Sequence, residues 1–190
     1  MTTKLLSLYG LKYHPFRADI PTEALYLPPA VDVFLRRVEM GLSSGGFAML
    51  TGDPGTGKTT ALRMLVARLD AVPNVVVGII ERPQSRPADF YRELGDVFGV
   101  SLTTHNRFAG FKALRARWSE HIASSLMRPV LILDEAQAAD SAVLSELRLL
   151  ASKDFDSRQL LSVIFAGDAR FPERLRTAEL LPLGSRIRRR

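Results

Sequence analysis

Residues 52–59 read Gly-Asp-Pro-Gly-Thr-Gly-Lys-Thr, which satisfies the pattern G-x-x-x-x-G-K-[ST] at every fixed position. The apolar run GFAMLT precedes it, and KTTALRMLVARLD, with apolar residues three and four apart, follows it. A glycine-rich loop between a buried strand and a helix restricts the fold sharply. The glycines let backbone N–H groups and the helix N-terminus converge on phosphate oxygens. The cradle expected from this run comprises Gly52, Asp53, Pro54, Gly55, Thr56, Gly57, Lys58, Thr59 and Thr60. Lys58 is placed to reach the β- and γ-phosphates of ATP, and the Thr59 hydroxyl to ligate Mg2+.

A strand followed by a helix sets an expectation for the rest of the chain, and the pattern continues. NVVVGII, PVLILD and LLSVIFAG are further short apolar runs bounded by Gly, Pro, Asn or Asp. Between them, Lys58–Asp70, Ala88–Phe98, Phe108–Met127 and Ser141–Ser152 carry helical spacing. Such alternation predicts an α/β fold, a parallel sheet covered by helices on both faces, because parallel strands need crossover connections. A further helix is expected from Pro29, where Val31, Phe34, Leu35, Val38 and Leu42 share a face and proline suits the first turn. Residues 1–28 hold Tyr9, Tyr13, Pro15, Phe16, Pro21, Tyr26 and Pro28 without a period, and are expected to form an irregular arm packed on a core of residues 29–190. At 190 residues and 46% hydrophobic content, one domain is the expectation.

Val130-Leu131-Ile132-Leu133-Asp134-Glu135 is an apolar strand that ends in two carboxylates. Ligands of open α/β sheets bind at the carboxyl ends of strands. Asp134 is therefore expected to hold Mg2+, directly or through water, and Glu135 to orient and deprotonate the attacking water. The sequence has no cysteine, which rules out disulfides and thiolate zinc sites. His14, His105 and His121 share no ligand spacing. The start, MTTKLLSLYG, does not read as a signal peptide and no apolar run approaches membrane-spanning length, so a cytoplasmic location is expected. The net charge of +6 favours polyanionic partners. Trp118, Phe108 and Phe111 share a helical pattern with Arg107, Lys112, Arg115 and Arg117, which reads as core packing beneath a wet basic face, with nucleic-acid stacking as the alternative.

Together these residues resemble the AAA+ ATPases, the ring-forming branch of P-loop proteins. The resemblance is carried by the G-x-P-G-x-G-K-T form of the loop, by Asp134-Glu135-Ala136-Gln137, and by Gly184-Ser185-Arg186-Ile187-Arg188. More narrowly, Tyr9-Gly10-Leu11 with Pro15-Phe16 and the Asp-Glu-Ala-Gln run resembles two groups. One is the transposon-encoded regulators of the MuB and TniB kind, which bind DNA and partner a transposase. The other is the secretion-pathway ATPases of the ExeA kind.

The resemblance implies a sheet order 5-1-4-3-2, with strands near 46–51, 75–80, 129–134 and 160–166 and a fifth starting near Arg186. It implies that Pro15 and Phe16 lie near the adenine, although core packing reads them equally well. Asp168 falls where the family senses the γ-phosphate, and also suits a turn or cap. Arg186 falls where the family carries an arginine finger that acts on ATP held by a neighbouring copy; the other reading is a solvated basic tail with Arg188, Arg189 and Arg190. Family members continue into a helical lid for which these residues leave no room, so the resemblance implies a chain cut near the fifth strand. The expected function is an ATP-hydrolysing, homo-oligomeric DNA-binding regulator of transposition acting with a transposase. The alternatives are a secretion-pathway ATPase subunit and a non-hydrolysing nucleotide-binding module.

Overall fold

The computed structural model describes residues 6–83, 86–101, 107–154 and 156–189. Five strands, β1 (Gly46–Thr51), β2 (Val75–Ile80), β3 (Arg128–Leu133), β6 (Ser162–Gly167) and β7 (Ile187–Arg189), form one sheet in the order β2-β3-β6-β1-β7. Every pairing in it is parallel. Counted along the sheet strands alone, this is the expected order 5-1-4-3-2.

Alternation along the central strands divides the core. Phe47, Met49, Leu131, Leu133, Val163 and Phe165 point to one face, and Ala48, Val130, Ile132, Ile164 and Ala166 to the other. The second face is covered by α1 (Pro29–Gly41) and α2 (Lys58–Asp70), through Phe34, Leu35, Val38, Leu62, Leu65 and Leu69. The first is covered by α3 (Pro87–Phe98), α4 (Arg107–Ser125) and α5 (Ser141–Leu150), together with the short helices α6 (Arg170–Arg174) and α7 (Leu181–Gly184). Proline opens α1 and α3, where its missing N–H costs nothing. Gly99 ends α3 at φ 64°, and Asp140 caps α5 by accepting from the Ala142 N–H at 2.8 Å.

Three expectations shift. The helix expected to reach Ser152 stops at Leu150, and β4 (Ser152–Lys153) pairs antiparallel with β5 (Arg158–Gln159) in a small hairpin. The arm is held more loosely than expected: Leu25 and Leu27 pack against the α1–α2 core, but Tyr9, Phe16 and Tyr26 are exposed, Phe16 at 88%. A polar tie adds to this packing, since the Arg63 guanidinium on α2 donates to the carbonyls of Ala18 and Ile20 at 2.9 and 2.6 Å. The aromatic set of α4 also divides. Trp118 is buried and meets the Phe98 ring edge-on at 5.3 Å, Phe111 is half-buried, and Phe108 is exposed beneath Lys112 Nζ.

Trp118→Ala is accordingly expected to cost about 3–5 kcal/mol of stability. Denaturant unfolding followed by circular dichroism measures this, since the substitution removes the only tryptophan in the sequence. A loss below about 1 kcal/mol would contradict close packing at that position.

Candidate active site

The site is built at the carboxyl ends of β1, β3 and β6. After Thr51 the chain turns through Gly55 (φ 80°) and Gly57 (φ 89°), a left-handed backbone that side chains adopt at a cost. Gly57 leads into α2, whose start has no side-chain cap, so the first-turn N–H groups are directed into the loop. Within the loop, Thr56 Oγ1 donates to the Asp53 carbonyl at 2.8 Å, and Lys58 Nζ donates to the carbonyls of Gly52 and Asp53 at 2.9 and 3.1 Å. Asp53, Pro54 and Gly55 form the exposed rim, and Thr60 lies half-buried in the first turn of α2.

Asp134 follows β3 and is 8% exposed, with Thr59 Oγ1 donating to its Oδ2 at 3.2 Å. A hydroxyl and a carboxylate oxygen at this separation, beside a phosphate cradle, are a hard-oxygen donor set of the kind Mg2+ takes. These two residues fit the ion, with phosphate oxygens and water to complete its shell. Asp134 Oδ1 accepts from the Glu135 N–H at 2.9 Å, and Glu135 itself is exposed with φ 51°. The structure thus brings Lys58, Thr59, Asp134 and Glu135 to one end of the sheet.

Asp168 lies just past β6 at the same end. Its carboxylate caps the next turn by accepting from the Arg170 N–H at 2.9 Å, and it grips the Arg170 side chain through both oxygens. The Arg170 guanidinium holds the Asp168 carboxyl below its usual range, with burial opposing and Lys58 adding a smaller pull in the same direction. The turn-and-cap reading of Asp168 is therefore the one its contacts match. Arg170 brings a cation to this end that the sequence pattern did not single out.

Arg186 is elsewhere. It precedes Ile187, which stands opposite Phe47 at the amino end of β1, whereas Lys58 lies beyond the carboxyl end. Phe47 to Thr51 alone spans about 13 Å of strand, at about 3.3 Å per residue. The Arg186 guanidinium donates to both Asp156 oxygens, at 3.0 and 2.5 Å, beside the β4–β5 hairpin. Pro15 and Phe16 are exposed and join no cluster with the loop among the described residues.

A parallel sheet in this order, with a Gly-x-x-x-x-Gly-Lys-Thr loop after its first strand and an acidic pair after its third, defines a P-loop nucleotide-binding protein. The chain belongs to the AAA domain family, whose model matches residues 40–175. Over 183 residues it is 32% identical to general secretion pathway protein A of Aeromonas hydrophila, in an alignment covering 94% of this chain and 32% of that protein. The chain thus spans about a third of the length of that curated relative. The crystal structure of Cdc6p from Pyrobaculum aerophilum superimposes with a TM-score of 0.65 over 96% of this chain and 48% of its own, at 18% identity, a likeness of fold alone.

Proposed function

We propose that the chain binds ATP with Mg2+ and hydrolyses it. The observation that carries this reading is the Thr59–Asp134 contact, at 3.2 Å, across the mouth of the glycine loop, with Glu135 next in sequence. Lys58 neutralises the β- and γ-phosphates, and the loop N–H groups hold them in line. Thr59 and Asp134 hold Mg2+, which when bound supplies charge neutralisation across the same phosphates. Glu135 takes the proton of the attacking water. Arg186 acts on ATP held by a neighbouring copy, a reading supported by its place at the opposite end of β1 from Lys58. Measuring ATP affinity and phosphate release tests the core of this reading; ATP binding with no release would leave only a nucleotide-dependent binding module.

For the biological role, the 32% identity to a secretion pathway protein favours service to a secretion machine. Among the described residues no helix is long and apolar enough to cross a membrane. The transposition reading is supported by the motif resemblance and the charge of +6. It requires DNA binding, and the exposed Lys112 and Arg117 of α4 and Arg188 of β7 suit the phosphate backbone more than base edges. Binding of that kind is expected to weaken with a log–log salt slope of about −0.9 per phosphate contacted. Titrating two duplexes of unrelated sequence at two salt concentrations, with and without ATP, measures it. No binding at low salt would favour the secretion role; a salt-independent or sequence-selective affinity would contradict backbone recognition.

A further inference from the structure

Gln137 closes the Asp-Glu-Ala-Gln run, and its side chain meets Glu135. Its Nε2 donates to Glu135 Oε2, and its Oε1 accepts from the Asp168 N–H at 3.2 Å. The orientation of the amide is fixed by chemistry. A backbone N–H can only donate, so Oε1 must face Asp168 and the NH2 group is left for the carboxylate. The fit is close, because a Cβ on Gly167 would stand 2.7 Å from that Oε1. The short turn at Ala136–Ala138 is held from the other side by Arg174, which donates to the Gln137 carbonyl at 2.6 Å and to Ser141 Oγ at 3.2 Å.

We infer that Gln137 is a positioning residue for Glu135, fixing one carboxylate oxygen of the base to the carboxyl end of β6. The inference rests on the hydrolysis reading above. Glu135 needs such a restraint. It is exposed, its backbone is left-handed at φ 51° and ψ 38°, and beyond the charge of Arg170 nearby its Oε1 accepts no hydrogen bond among the described residues. The amide occupies Oε2 and leaves Oε1 to accept the water's proton. The same stretch of β6 touches the phosphate loop, since the Gly52 N–H donates to the Gly167 carbonyl at 3.3 Å. A continuous set of contacts therefore runs from the loop through Gly167 and Asp168 to Gln137 and on to the base.

Two substitutions separate this role from simple support of the turn. Gln137→Glu keeps an acceptor for the Asp168 N–H but sets a carboxylate against Glu135. Gln137→Met keeps the length and removes both bonds. Both variants are expected to bind ATP within about twofold of the unaltered chain, and to slow single-turnover hydrolysis by about 10–100-fold, the scale of a misplaced reacting group. In a Glu135→Gln background, adding Gln137→Met should change residual turnover no further, because both act on one group. Gln137→Glu at the full rate would overturn the inference while leaving the hydrolysis reading in place. A parallel loss of ATP affinity and melting temperature in both variants would make Gln137 a structural residue and overturn it as well. An unaltered chain that binds ATP without releasing phosphate would remove the hydrolysis reading and the inference with it.

Discussion

Glu135→Gln is expected to bind ATP as the unaltered chain does and to lose turnover by about 10²–10⁴-fold, the range of general base catalysis. The side chain is exposed, so the change disturbs no core packing, and the amide keeps its shape. What it loses is the ability to take a proton from water. Lys58→Ala should fail one step earlier. Its ammonium sits among the loop carbonyls of Gly52 and Asp53, where the phosphates would lie, and its removal takes away the point charge that holds them. Measuring nucleotide affinity and phosphate release on both proteins separates binding from chemistry. A Glu135→Gln chain that hydrolyses at the normal rate would remove Glu135 as the base.

Arg186→Ala is expected to keep ATP affinity and slow hydrolysis by about 10³–10⁵-fold, the range for arginines that act on the transferring phosphoryl group. Loss of the Asp156 contact should cost the fold little. Both partners are partly exposed, and pairs of that kind contribute little to stability. The distinctive outcome comes from mixing. A Lys58→Ala chain binds no ATP but still offers its arginine, and an Arg186→Ala chain offers an intact loop. Equal amounts of the two should recover part of the activity, since random pairing joins an intact loop to an intact arginine at roughly a quarter of head-to-tail interfaces. If the two proteins co-assemble and no activity returns, Arg186 does not act on a neighbour.

The parts of the molecule that were legible in sequence are those whose determinants are contiguous. The phosphate loop is eight consecutive residues, and Asp134 and Glu135 follow directly on a strand whose apolar run marks its own end. The sheet order came through resemblance, whereas the existence of the main strands came from their composition. The β4–β5 hairpin was missed because Ser152–Lys153 and Arg158–Gln159 carry no apolar alternation; its pairing is decided by tertiary contact. The roles of Gln137 and Arg174 escaped notice for a related reason. Their contacts link the turn after β3 to the segment after β6, roughly thirty positions away in sequence, and no local pattern encodes that approach. In the arm, aromatic content suggested burial, but Phe16 and Tyr26 stand in solvent and the attachment is made by Leu25, Leu27 and Arg63.

The placement of Lys58 and Arg186 at opposite ends of β1 gives the chain a direction. If each arginine completes only a neighbour's site, copies join head to tail, and such an interface is not self-complementary. An open row of n copies then holds n − 1 complete sites, because the loop at one end faces no arginine. A head-to-tail pair works at half capacity, and only a closed ring leaves no site idle. Activity per chain, followed against protein concentration, would climb as rows lengthen and level off abruptly where the circle closes.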